Sequence, residues 1–170
     1  AFADVLQSRN SVELESTYHK AEGQMAGIGS KIKFDSGAEF PVSGFAPEHA
    51  NGHAASLLTY SQTLPPCFQL VIVGAEHDAV QLCLMASLNG WEVTVVTSQT
   101  DPRTKANFPG AHDVLALSAN DVEALKIDAQ TAIMLMSHNY ANDLKYLLAF
   151  QSHEFAYMGI LGPAKRKEKL

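Results

Sequence analysis

Two kinds of hydrophobic pattern run along this chain, and they change over at Pro65-Pro66. Before that point apolar and polar residues alternate. Val12, Leu14, Ser16 and Tyr18 interleave with Glu13, Glu15 and Thr17, which predicts a half-buried strand. Ile32 and Phe34 interleave with Lys31 and Lys33. Asp35-Ser36-Gly37 and then Phe40-Pro41-Val42 follow, the pattern of a hairpin with a glycine-containing turn. Pro41 cannot donate to a ladder, so the second arm is expected at a sheet edge. Residues 46–53 read as a loop, and Leu57 to Thr63 as a further strand. Internal repeats and low-complexity stretches are not evident.

After Pro66 the apolar runs become continuous. Phe68 to Val73 is what a strand buried on both faces requires. Gly74 breaks the run. Ala79, Leu82, Cys83 and Ala86 then form a helical stripe that ends at Asn89-Gly90. Trp91 to Val96 is the second strand of this set and Asp113 to Leu117 the third. Ser118-x-x-Asp121 resembles a capping box and predicts a helix through about Lys126. Thr131 to Met136 is the fourth strand. Leu144, Leu147, Leu148 and Gln151 predict the apolar face of another helix, and Phe155 to Leu161 is the fifth strand. Short apolar strands alternating with amphipathic helices make an α/β domain with a doubly wound parallel sheet. The usual strand order is 3-2-1-4-5, the Rossmann arrangement. Residues 1–64 are expected to be a small β-rich segment and residues 65–170 the Rossmann-like domain.

Composition narrows the classes. The chain has 170 residues, 46% apolar and 18% charged, enough for one ordinary domain with a small appendage. No apolar run approaches the ~18–20 residues of a membrane helix, and the N-terminus does not read as a signal peptide. Cys67 and Cys83 have neither redox-motif nor zinc spacing, so a reducing, cytoplasmic setting is expected. The formal net charge is −6, unevenly spread. Lys165, Arg166, Lys167 and Lys169 sit in the last eight residues. That leaves eight basic against seventeen acidic side chains over residues 1–162, a net −9. So acidic a body repels phosphate backbones, and nucleic acid is not an expected partner. The chain starts at Ala and stops inside a basic segment, as a piece of a longer polypeptide would.

In the predicted strand order the first and fourth strands are neighbours, and a crevice opens beyond their C-terminal ends. Gly74-Ala75-Glu76-His77-Asp78 follows strand one, Ser137-His138-Asn139-Tyr140 follows strand four, and Gly162-Pro163-Ala164-Lys165-Arg166 follows strand five. Gly74 and Ala79 fit the outer positions of the dinucleotide fingerprint, but Glu76 replaces its middle glycine. Glu76 reads either as an acid favoured by the helix dipole or as a group that keeps anions out. Thr97-Ser98 stands where the fingerprint's ribose-binding acid is expected. His77 and Asp78 read as first-turn polar residues, and His138 and Asn139 as a helix cap. The alternative is that topology brings them to one crevice. A metal site would need further ligands, and none is expected. Lys165 and Arg166 read either as a solvated helix start or as holders of an anionic group.

Four strings carry a resemblance: LVIVGAEHDAVQLCLMASLNGWEVTVV, NFPGAHDVLAL, TAIMLMSHNYANDLKYLLAF and YMGILGPAKRKEKL. In this order they resemble the Rossmann domain of the XdhC/CoxI family, accessory proteins of xanthine dehydrogenase and related molybdenum hydroxylases, over about residues 65–170. The resemblance implies a chaperone rather than a catalyst. It would bind molybdenum cofactor, assist its sulfuration and insertion, and dock on a molybdenum hydroxylase apo-enzyme, with a cysteine desulfurase and a second copy of the chain as further partners. By position, Gly74, His77 and Asp78 match the family's first motif, His138 and Asn139 its second, and Gly162, Lys165 and Arg166 its third. Glu76 departs from the family's glycine. The other readings are an NAD(P)-dependent oxidoreductase, in which Thr97, Ser98 and Arg103 admit a 2′-phosphate, and a degenerate Rossmann module that binds proteins.

Overall fold

The computed structural model describes residues 9–20, 27–43 and 57–162, so the loop expected at 46–53 lies outside them. The chain divides into two compact units, residues 1–66 and 67–170.

The first unit is an antiparallel sheet of β1 (Val12–His19), β2 (Gly29–Lys33), β3 (Glu39–Ser43) and β4 (Leu57–Leu64), in the order β3-β2-β1-β4. Alternation sorts its two faces. Leu14 pairs with Ile32 and Ile32 with Phe40, while Glu15 pairs with Lys31 and Lys33 with Glu39. The charged face is laced together: Lys31 Nζ lies 3.3 Å from Glu15 and 2.8 Å from Glu39, and Lys33 also reaches Glu15. The hairpin turn closes through the Phe34 amide donating to the Ala38 carbonyl at 2.9 Å, with Gly37 at φ +81°. Pro41 sits on β3, which among the described residues pairs only with β2, so its missing donor falls at the edge.

The second unit is a parallel sheet of β5 (Gln69–Val73), β6 (Glu92–Thr97), β7 (Asp113–Ala116), β8 (Thr131–Leu135) and β9 (Tyr157–Ile160). Its order is β7-β6-β5-β8-β9, the 3-2-1-4-5 winding. All five residues of β5 are buried, because both faces are covered. Leu70, Ile72, Val93 and Val95 pack with Ala79, Cys83 and Ala86 of helix α1 (His77–Leu88). Val71, Val73, Ile133 and Leu135 pack on the other side with Tyr146 and Phe150 of helix α2 (Tyr140–Phe150). Among the described residues no helix is long and apolar enough to cross a membrane.

Two elements differ from the pattern. The segment after Ser118 is a short 3-10 helix (Ala119–Ala124), not an α-helix to Lys126. The capping box does form, with Ser118 and Asp121 bonding reciprocally. The turn need only drop Val122 and then Leu125 onto the sheet, and a short connector does so in 3-10 geometry. Helix α2 is also rotated from the expected face. Asp143, Tyr146 and Phe150 are buried, whereas Leu148 is 61% exposed and Gln151 is on the surface. The Asp143 carboxylate is drawn inward by the Ser137 amide and hydroxyl, and the stacked Tyr146 and Phe150 rings follow it. Aromatic burial outweighs that of the leucines it displaces.

Candidate functional site

The site is built where β5, β6 and β8 end together. Gly74 has φ +139°, and a Cβ there would lie 2.4 Å from the Met136 carbonyl oxygen. Its amide donates to the Val96 carbonyl at 3.0 Å, and the Met136 amide donates to the Val73 carbonyl at 2.8 Å. The three strand ends are therefore knit at van der Waals limits, and glycine is what lets β5 pass β8 so closely. Helix α1 starts immediately afterwards. The side chain of its N-cap, Glu76, accepts no hydrogen bond from the helix N–H groups, although the Glu76 carbonyl accepts from the Val80 amide at 3.2 Å.

The loop after β6 is stapled to this start by Arg103. The guanidinium donates to both oxygens of Asp101, Nε to Oδ1 at 2.9 Å and Nη2 to Oδ2 at 2.6 Å. It also donates to the Ala75 carbonyl and lies 3.6 Å from Glu76 Oε1. Arg103 is thus committed to protein partners, and it has no spare fork for a 2′-phosphate. Glu76 in turn neutralises a cation as well as standing at a helix start.

Arg103 holds the Asp101 carboxyl below the usual carboxylate range, through its side-chain and backbone hydrogen bonds to that carboxylate. A depressed folded value gives stability that is complete above the ordinary carboxylate pKa, about 3.9, and is lost as the pH falls through the folded value. Arg103→Gln removes this contribution. The gap in urea midpoint between wild type and variant is expected from pH 7 down to about pH 4 and closes below it. A gap independent of pH contradicts the assignment.

On the β8 side, Asn139 caps α2 by accepting from the Asn142 amide at 3.1 Å. His138 occupies the left-handed region at φ +54°, where histidine is among the tolerated residues. From there its Nε2 donates to Asp78 Oδ2 at 2.7 Å, tying the β8 exit to the first turn of α1.

Three adjoining cavities open on this edge. One of about 160 Å³ is lined by Gly74, Glu76, Thr97, Ser98, Arg103, Ser137, Asn142 and Tyr146, among others. A second of about 360 Å³ shares Ser98, Asn142 and Tyr146 and extends to Leu117, Ser118, Asn120 and Lys145. A third, about 280 Å³, lies over Ala75, Glu76, His77, Arg103 and Asn107. Thr97 is 2% exposed, and its Oγ1 has no hydrogen-bond partner among the described residues. A buried hydroxyl left so is costly unless something else meets it.

Of the residues that the sequence singles out, Gly74 lines the first cavity and His77 the third. Asp78 and His138 pair with each other, Asn139 caps α2, and none of these three lines a cavity. Gly162 follows β9 and lines none of them either. Lys165 and Arg166 lie outside the described residues. The groove spans the ends of strands one, two and four, and its larger cavity extends past Leu117 and Ser118, which follow strand three. Asn142, Lys145 and Tyr146 are wall residues that the sequence does not flag. Their i, i+3, i+4 spacing is a one-face signal, but two of the three are polar and read as a solvated surface. Among the described residues no three His, Cys, Asp or Glu side chains gather as metal ligands.

Residues 70–170 match the family described as the XdhC Rossmann domain. The chain belongs to that family. It is similar to a probable xanthine dehydrogenase component of Bacillus subtilis (strain 168), 26% identical over 112 residues, covering 65% of this chain and 34% of that protein. In fold it is similar to a crystal structure of a xanthine dehydrogenase from Bacillus halodurans. The TM-score is 0.72 at 20% identity, covering 98% of this chain and 52% of that one. The chain therefore spans about a third of the curated relative and about half of the solved one.

Proposed function

We propose that this XdhC-family chain is the cofactor-handling part of an accessory protein for a xanthine dehydrogenase-type molybdenum hydroxylase. It binds molybdenum cofactor in the groove at the C-terminal edge of the parallel sheet and passes it to the apo-enzyme. The observation that carries this reading is the groove itself. It lies at the strand ends where open α/β sheets take ligands, and it contains a buried hydroxyl with no partner among the described residues. A pterin is a flat heterocycle with a hydrogen-bonding edge. Thr97, Ser98 and Ser137 hydroxyls and the Asn142 amide offer partners for that edge, and the Tyr146 ring offers an apolar wall. Lys165 and Arg166 are the counter-charges for the phosphate.

The cofactor supplies redox chemistry to the hydroxylase; this chain binds, shields and releases it. Sulfuration needs a persulfide donor. Neither of the chain's two cysteines lines the groove. Cys83 is buried, and burial pushes its thiol pKa up, away from thiolate chemistry. A partner cysteine desulfurase therefore provides the sulfur. A hydride-transferring dehydrogenase has less support. Glu76 occupies the position where a pyrophosphate must approach the backbone, and Arg103 is already engaged.

The test is retention. Purified chain is incubated with released molybdenum cofactor and desalted, and molybdenum and oxidised-pterin fluorescence are measured. Retention near one equivalent is expected. Asn142→Leu, which fills the groove, and Lys165→Ala, which removes a counter-charge, are each expected to cut retention by about tenfold. No retention by the unaltered chain contradicts the reading.

A further inference from the structure

The geometry points to the outer edge of β4 as a dimer interface, on which the same strand of a second copy pairs antiparallel across a twofold axis. The two four-stranded sheets then join into one. A strand at a sheet edge leaves a row of backbone N–H and C=O groups without partners. Natural sheets blunt such edges with prolines, charges, bulges or short strands. The two edges of this sheet differ in that respect. β3 has five residues, carries Glu39 and Pro41, and meets β2 through a register shift at Ser30 and Lys31. β4 has none of these devices. It runs for eight residues, pairs with β1 in one unbroken register, and contains no charge, proline or glycine. Among the described residues its other side pairs with no strand, and the six residues Leu58 to Thr63 are exposed.

The absence of charge says which strand fits. A strand of a different protein gains register and selectivity from opposite charges. A strand that meets its own copy about a twofold axis brings any charge near that axis against a like one, so it does best with none. Pairing must also keep the apolar faces together, which restricts it to registers that oppose residues of the same face. Leu58, Tyr60 and Gln62 share a face with Tyr18, Ser16 and Leu14 of β1, whereas Thr59, Ser61 and Thr63 share the other with Thr17, Glu15 and Glu13. The register centred on Tyr60 meets this condition. Tyr60 then faces its own copy, Leu58 faces Gln62 of the second copy, and Thr59 faces Ser61. The central pair is aromatic, among the more favourable cross-strand pairs, and the Tyr60 side chain is 53% exposed and open to it. This interface lies in the first unit and does not depend on the pterin reading.

Sedimentation velocity on the whole chain, over a dilution series, tests it. At about 100 μM the unaltered chain is expected to sediment as a dimer. Tyr60→Lys and Tyr60→Glu each oppose like charges on the axis. Each is expected to raise the dimer dissociation constant by about tenfold or more. Mixed in equal amounts, the two variants set opposite charges against each other, and the dimer is expected to return. That recovery also shows that both variants fold. Val42→Lys places a charge at an exposed position on β3, the other edge strand, and is expected to change the constant by no more than about twofold. Four results overturn the proposal. They are a monomeric unaltered chain at that concentration, dimerisation unchanged in either Tyr60 variant, no recovery on mixing, or dissociation by Val42→Lys as large as by the Tyr60 variants, which would place the contact away from β4.

Discussion

Gly74→Ala will strip the parallel-sheet unit of about 3 kcal/mol, about a fifth or more of the stability of an ordinary domain. The added Cβ would lie 2.4 Å from the Met136 carbonyl oxygen and 2.7 Å from its carbon, both backbone atoms of the neighbouring strand exit. Neither can swing aside as a side chain could. Relief requires β5 and β8 to part, which breaks the Met136-to-Val73 and Gly74-to-Val96 hydrogen bonds. The φ of +139° adds strain of its own for any residue with a Cβ. Trp91, the chain's one tryptophan, packs on Phe68 within this unit at a ring-centroid distance of 4.8 Å and reports its unfolding. The urea midpoint read by Trp91 fluorescence is expected to fall by about 1.5 M. A midpoint within error of wild type would mean that the close approach at Gly74 is absent in solution.

Asp143→Ala has the second largest effect, about 2–3 kcal/mol. Asp143 is fully buried, and its Oδ1 accepts from the Ser137 amide at 3.3 Å and from the Ser137 hydroxyl. It also lies in the first turn of α2, where the helix dipole favours a negative charge. Alanine leaves the Ser137 amide without its acceptor, leaves the Ser137 hydroxyl only the longer bond to the Asn139 carbonyl at 3.2 Å, and opens a void beneath α2. Asp143→Asn keeps an acceptor oxygen and loses only the charge, so it is expected to cost about half as much. Ser137 lines the groove, so cofactor retention should fall in the same order, Ala below Asn below wild type. Equal midpoints for all three proteins would show that the carboxylate does not anchor α2.

The sheet is largely legible in the sequence, and the groove much less so. Strands β5, β6 and β8 are apolar on both faces because helices cover both, and such runs stand out without tertiary knowledge. Their order follows from right-handed crossovers. Pro41 similarly marks its strand as an edge. Helix α2 resists the same reading, since Asp143 looks polar and Leu148 apolar, yet the first is buried and the second exposed. What decides is a hydrogen bond to Ser137, six residues earlier, and pattern counts carry no such information. The site divides the same way. Strand ends locate the edge, and Gly74 can be placed on it. His138 and Asp78 each stand out in the sequence, but their pairing depends on a left-handed backbone at His138. The groove walls at Asn142, Lys145 and Tyr146 depend on how α2 is rotated. Charged and histidine residues attract notice in a bare sequence. The groove is lined mainly with hydroxyls and amides, which carry no pattern of their own.

The most direct test of the central claim is to titrate released molybdenum cofactor into isotope-labelled chain and follow the backbone amide resonances. Shifts are predicted at Gly74, Thr97, Ser98, Ser137 and Asn142, with the nearby Asp78 and His138 pair little changed. Shifts confined to that pair, or an unchanged spectrum at saturating cofactor, would contradict the groove as the site where the cofactor is held.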